Sequence, residues 1–186
     1  MTRIAIFASG SGSNAENIIH HFRDKEGVEV VLVLSNKSDA FVLNRAEKHG
    51  LPTSVFTKEE LNNSEKVIET LKEYNASIII LAGFLLKIPE NLIKTYPNAI
   101  VNIHPALLPK YGGKGMYGMN VHKAVVENRE KEAGITIHYV NEYYDEGEFI
   151  FQAKCPILSS DSPEEVQRKV QELEAIHFPT IIESIL

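Results

Sequence analysis

Five short runs rich in Ile and Val recur near residues 3–8, 28–34, 53–56, 77–82 and 99–103, with amphipathic patterns of helical period between them. Strands that alternate with helices are joined by right-handed crossovers, and crossovers cover both faces of the sheet they build. Runs that are continuously apolar, rather than alternating, fit strands with no face left to water. The chain is therefore predicted to be α/β: a Rossmann-like, mostly parallel sheet with helices on both faces. After residue 130 the rhythm changes. Gly134 to Val140 and Glu148 to Cys155 read as two strands joined by an acidic loop, close enough in sequence to pair antiparallel near the C-terminus. Asp161-Ser-Pro-Glu-Glu opens a last long helix, with Val166, Val170, Leu173, Ile176 and Ile181 as its expected apolar stripe. No repeat, low-complexity tract or linker interrupts residues 1–186, which read as a single domain.

Charge and cysteine content narrow the function. A net charge of -6 opposes collection of nucleic acid by counterion release. The only cysteine, Cys155, has no partner for a disulfide or a thiol metal site, which implies a reducing compartment. The N-terminus runs straight into a strand, without the charged and apolar regions of a targeting signal, and no stretch reaches the roughly 20 apolar residues of a membrane span. The expectation is a cytoplasmic protein that binds a small ligand, with no nucleic acid and no membrane partner.

Three stretches carry chemistry. In the first, Ser9-Gly-Ser-Gly-Ser-Asn14 joins the first strand to a helix, so its backbone N–H groups and the positive end of the helix dipole converge on one point. Gly10-x-Gly12-x-x-Ala15 satisfies a loose dinucleotide pattern, but the second strand exits into Ser35-Asn36-Lys37 with no acid for a ribose hydroxyl. A single phosphate fits better. In the second, Asn102 and His104 lie two apart, on one face of a strand that ends at the carboxyl edge of the sheet. An amide donor beside an imidazole can stabilise an oxyanion and move a proton in acyl transfer. In the third, Asp145 precedes Glu146-Gly147, where it reads equally as a turn residue or as the carboxylate that orients a histidine. Between the second and third, Lys110 to Gly118 holds four glycines in nine residues and reads as a mobile flap. His20, His21, His49 and His122 fall on expected helices as solvated or partly packed residues, and His138 as a supporting residue near the late strands.

Ser9 to Asn14, Leu81-Ala-Gly-Phe84, Asn102-Ile-His-Pro-Ala-Leu-Leu-Pro109 and Tyr144-Asp-Glu-Gly147 occur in the order seen in glycinamide ribonucleotide formyltransferases, which the chain resembles over essentially its whole length. The resemblance implies transfer of a formyl group from 10-formyltetrahydrofolate, as co-substrate, to the amine of glycinamide ribonucleotide in purine biosynthesis, with no metal. It assigns catalysis to Asn102, His104 and Asp145, with Asp145 keeping His104 charged. Gly12, Ser13, Asn14, Gln171 and Glu174 would hold the ribonucleotide. Leu85, Leu86, Lys87 and Ile88, with Asn102 and the loop Asn141, Glu142, Tyr143, Tyr144 and Asp145, would line the folate site. The chain departs from the family where Leu85-Leu86-Lys87 replaces a common Met-Arg pattern.

The expected rivals are a formyltetrahydrofolate hydrolase, which usually carries a further N-terminal domain, and a nucleotide-binding reductase, which Asn36 disfavours. Methionyl-tRNA formyltransferase shares Asn-x-His-Pro but adds a nucleic-acid domain. A monomer or a homodimer fits the sequence equally.

Overall fold

The computed structural model describes residues 1–186 and divides into two compact units, Met1–Asn102 and Ile103–Leu186. In the first, β1 (Thr2–Phe7), α1 (Ser13–Phe22), β2 (Val28–Ser35), α2 (Phe41–Lys48) and β3 (Thr53–Val55) are followed by α3 (Lys58–Asn63), α4 (Lys66–Glu73), β4 (Ile78–Leu81), α5 (Glu90–Thr95) and β5 (Ile100–His104). β5 runs across the division, and its five strands order as β3-β2-β1-β4-β5, all parallel. Ile4, Ile6 and Phe7 of β1 are fully buried. Each such side chain contributes about 1.5–3 kcal/mol. The strand order reverses at β1, because β2 and β3 lie on one side and β4 and β5 on the other. Ligands of open α/β sheets bind outside the carboxyl ends at such a reversal.

The second unit continues with α6 (Met119–Glu127), β6 (Glu132–Tyr139), β7 (Phe149–Pro156) and α7 (Pro163–Ser184). β6 and β7 pair antiparallel from Glu132↔Pro156 to His138↔Phe149, with a register shift between Ile137 and His138 that leaves Ile150 unpaired on β7. A bulge of this kind bends a strand and re-aims the neighbouring side chain. The mostly parallel α/β architecture and the late antiparallel pair are as expected.

The stripe of α7 is corrected. Ser162 and Glu165 close a capping box ahead of Pro163, so the helix starts where the sequence indicates. Its buried residues are Val166, Val170, Phe178, Pro179 and Ile182, whereas Ile176 is 62% exposed. Over 22 residues a 3.6-residue helix rotates its contact line, so a stripe extrapolated from the first turns leaves the packed face by Ile176. No helix is long and apolar enough to cross a membrane.

Candidate active site

The first glycine turn is fixed from behind by α2. The Val42 N–H donates to the Gly10 carbonyl at 3.1 Å, and Arg45 Nε donates to the Ser11 carbonyl at 2.9 Å. Arg45 also pairs with Glu16 in the first turn of α1. Gly12 has φ +77°, and a Cβ there would lie 2.5 Å from the Val42 side chain, so this position needs glycine for packing as well as for conformation. Ser9 is buried; its Oγ donates to Asn36 Oδ1 at 2.6 Å and accepts from the Leu85 N–H at 3.0 Å. Asn36 thus serves as a strut at the end of β2. Gly12 caps α1 without a side-chain acceptor, as is also the case at α2, α4, α5 and α6, whereas α3 and α7 carry capping boxes. Ser13 and Asn14 are the first two helical residues, where N–H groups have no acceptor within the helix.

Within the second unit, Asp145 stands against two buried histidines. Its Oδ2 is 3.6 Å from His104 Nδ1, and its Oδ1 is 3.7 Å from His138 Nε2. The left-handed φ of +55° at Asp145 makes it a turn residue and a carboxylate partner at once, so the two sequence readings coincide. Gly147 allows the loop to close, because a Cβ there would fall 1.6 Å from the Tyr139 carbonyl oxygen. His104 Nε2 meets the Tyr111 carbonyl at 2.7 Å. That acceptor fixes the tautomer with its proton on Nε2 and leaves Nδ1 facing Asp145. The Gly113 N–H donates to Asp145 Oδ2 at 2.9 Å, so the start of the expected flap is tied to both members of the pair.

Burial holds the His104 imidazole below its ordinary 6.5; Asp145 and the Tyr111 carbonyl pull it back up, and His138 lowers it further. Asp145 thus acts on His104 in the expected direction, toward the charged form, while burial opposes it. For Asp145, burial pushes the carboxyl up, but His138, His104 and the Gly113 N–H together hold it below its ordinary 3.8. His122, expected to be solvated or partly packed, is packed: it is buried, with its Nδ1 lacking a hydrogen-bond partner. Burial, then the charge of His104, lowers its ionisation.

The other expected residues are placed as follows. Asn102 lies two residues before His104 on β5 and is partly buried. Leu85 and Lys87 are exposed and Leu86 is half-buried, whereas the Ile88 side chain is buried in the core. Position 88 therefore offers a ligand only its backbone. Asn141 Oδ1 accepts from the Tyr143 N–H at 2.9 Å and shapes the loop, while Glu142, Tyr143 and Tyr144 are exposed. Gln171 and Glu174 are three apart on one face of α7, with Gln171 exposed and Glu174 partly so. Glu16, His20 and His49 bring possible metal-ligand atoms within 4.8 Å of one another. Glu16 pairs with Arg45, and Arg23 reaches His49 Nδ1 at 2.6 Å, so two cationic side chains oppose a divalent ion there.

A protein-family model described as formyl transferase matches residues 2–182. The chain belongs to the formyl transferase family. It is 34% identical over 187 residues to the phosphoribosylglycinamide formyltransferase of Haemophilus influenzae, covering 98% of this chain and 86% of that one. A chloroplastic phosphoribosylglycinamide formyltransferase of Arabidopsis thaliana is 40% identical over 174 residues; 90% of this chain matches, and the chain spans 60% of that relative's length. Among solved structures, the phosphoribosylglycinamide formyltransferase of Bacillus halodurans aligns with a TM-score of 0.89 at 33% identity, over 100% of this chain and 95% of that one. The expected kinship with glycinamide ribonucleotide formyltransferases is borne out. Sequence reading of this formyl transferase missed the parts played by Arg45, Tyr111 and Asn36, which rest on a backbone carbonyl or a side-chain amide brought into place by the fold.

Proposed function

We propose that this formyl transferase carries a formyl group from 10-formyltetrahydrofolate to the primary amine of glycinamide ribonucleotide, with Asn102, His104 and Asp145 as its catalytic residues. The observation that carries the reading is the buried His104 ring, whose Nε2 is committed to a backbone carbonyl and whose Nδ1 faces the Asp145 carboxylate. The amine nitrogen attacks the formyl carbon, and the carbonyl electron pair moves onto oxygen. The Asn102 amide donates to that oxyanion. His104, neutral at the outset through burial, accepts at Nδ1 the proton shed by the attacking nitrogen, and Asp145 stabilises the imidazolium that results. Nδ1–H then protonates the folate N10 as its bond to the formyl carbon breaks. Carbon–nitrogen bonds formed and broken balance, and one proton moves from amine to folate.

Gly12, Ser13 and Asn14 take the ribonucleotide phosphate, a role supported by the left-handed glycine turn that opens α1 where the strand order reverses. Gln171 and Glu174 take the remainder of the ribonucleotide. Leu85 to Ile88, with Asn141 to Asp145, take the folate. The reaction runs in a single domain, in the cytoplasm, in a monomer or homodimer. Deformylation of 10-formyltetrahydrofolate measured with and without glycinamide ribonucleotide tests the reading. Turnover that depends on the ribonucleotide is expected; equal turnover without it would indicate the hydrolase instead.

A further inference from the structure

The His104–Asp145 pair is gripped by one short backbone segment. The Tyr111 carbonyl accepts from His104 Nε2 at 2.7 Å, and two residues on the Gly113 N–H donates to Asp145 Oδ2 at 2.9 Å. An acceptor on the imidazole and a donor on the carboxylate each favour the charged form of their partner. The grip depends on Tyr111 holding φ +57°, a left-handed conformation that a non-glycine residue adopts at a cost and that therefore needs an anchor. Close packing does not supply all of it. Tyr111 borders a cavity of about 290 Å³ that Ala106, Leu107, Pro109 and Val125 also line. What fastens the side chain is polar: the Tyr111 hydroxyl donates to Glu130 Oε1 at 2.9 Å, and Lys110 Nζ donates to the same oxygen at 2.9 Å.

We propose that Glu130, in the turn between α6 and β6, is a positioning residue for His104, acting through the Tyr111 hydroxyl on the carbonyl that fixes the imidazole tautomer. This rests on the catalytic role given to His104 above. The link persists across the working pH range. Burial and Glu130 push the Tyr111 phenol up to about 12, while Lys110 and Tyr111 hold the Glu130 carboxyl below its ordinary 4.5. Changes in the titration of His104 therefore report the grip itself. The charged or titratable groups around that ring are Asp145, His138 and His122, and Glu130 and the Tyr111 hydroxyl reach it only through the backbone of residues 111–113.

The test compares Tyr111→Phe, Glu130→Ala and Glu130→Gln in the full chain, with nitrogen-15 NMR of His104 beside steady-state kinetics. Loss of one net hydrogen bond corresponds to about ten-fold in rate. Tyr111→Phe and Glu130→Ala are expected to lower kcat about ten-fold with both KM values within two-fold. The His104 signal should change from a single Nε2–H tautomer to a mixture, and its ionisation should fall. Glu130→Gln keeps an acceptor for the hydroxyl and should restore kcat and tautomer toward the parent. A Tyr111→Phe protein with parental kcat and an unchanged Nε2–H signal overturns the proposal, as does a Glu130→Gln protein as impaired as Glu130→Ala. The NMR arm needs no turnover, so a parent protein inactive on the ribonucleotide would count against the function while leaving the positioning of His104 to be judged by its spectrum.

Discussion

Two glycine-rich segments, Ser9 to Asn14 and Lys110 to Gly118, look alike in the sequence and are held in opposite ways. The first is fastened along its whole length: Ser9 to Asn36, Gly10 to Val42, Ser11 to Arg45, and Gly12 against Val42. The second is fastened at its start, through Tyr111 and Gly113, and after that by a side chain only at Gly115, whose carbonyl accepts from Asn120 Nδ2 at 3.1 Å. Its backbone–backbone bonds beyond that are local turns, such as Met116 N–H to the Gly113 carbonyl, and Lys114, Gly115, Tyr117 and Gly118 are exposed. Glycine content alone therefore says nothing about mobility. In the first segment glycine admits a close-packed helix behind a rigid turn, and in the second it leaves conformations open for a ligand to select.

Gly12→Val breaks the rigid segment at its tightest point. The added side chain meets Val42 and imposes a left-handed conformation on a β-branched residue. Overpacking and strain together should cost about 3 kcal/mol, read as a fall in Tm. A folded variant with parental Tm would show that the turn is not packed as described. Asp145→Asn acts on the pair that the second segment grips. Removing the charge should lower kcat about 10² with a smaller effect on either KM, and drop the His104 ionisation further below 6.5, since Asp145 raises it. An Asp145→Asn enzyme with near-normal kcat would remove Asp145 from the mechanism.

The fold was legible where burial dictates residue type. β1, β2, β4 and β5 announce themselves because both faces are covered, and α7 because Ser162, Pro163 and Glu165 mark its start. The candidate site was legible where its residues sit on a regular element, as with Asn102 and His104 two apart on β5. What stayed hidden is tertiary and polar. Arg45 acts on a backbone carbonyl and Tyr111 acts through its own, for which no residue type in the sequence is diagnostic. The net charge state of His104 depends on how deeply the ring is buried, which a motif does not record.

Arg45→Ala sharpens the comparison by loosening the rigid turn without filling it. Losing the bond to the Ser11 carbonyl and the pair with Glu16 should weaken ribonucleotide binding about ten-fold, with folate affinity within two-fold by calorimetry. Equal weakening of both ligands would make Arg45 a general stabiliser. The smallest effect is in hydrogen exchange. In the free protein the Gly113 amide, held by Asp145, should exchange more slowly than those of Lys114 and Gly115, and binding of both ligands should slow residues 114–118. Exchange unchanged by ligands across that stretch would rule out a closing flap.

Tracing the formyl carbon is the most direct test of the proposed reaction. With 10-formyltetrahydrofolate labelled with carbon-13 in its formyl group, NMR should show the label appearing on the ribonucleotide amide, one for each folate released. Label appearing as free formate, at a rate indifferent to the ribonucleotide, would contradict the account.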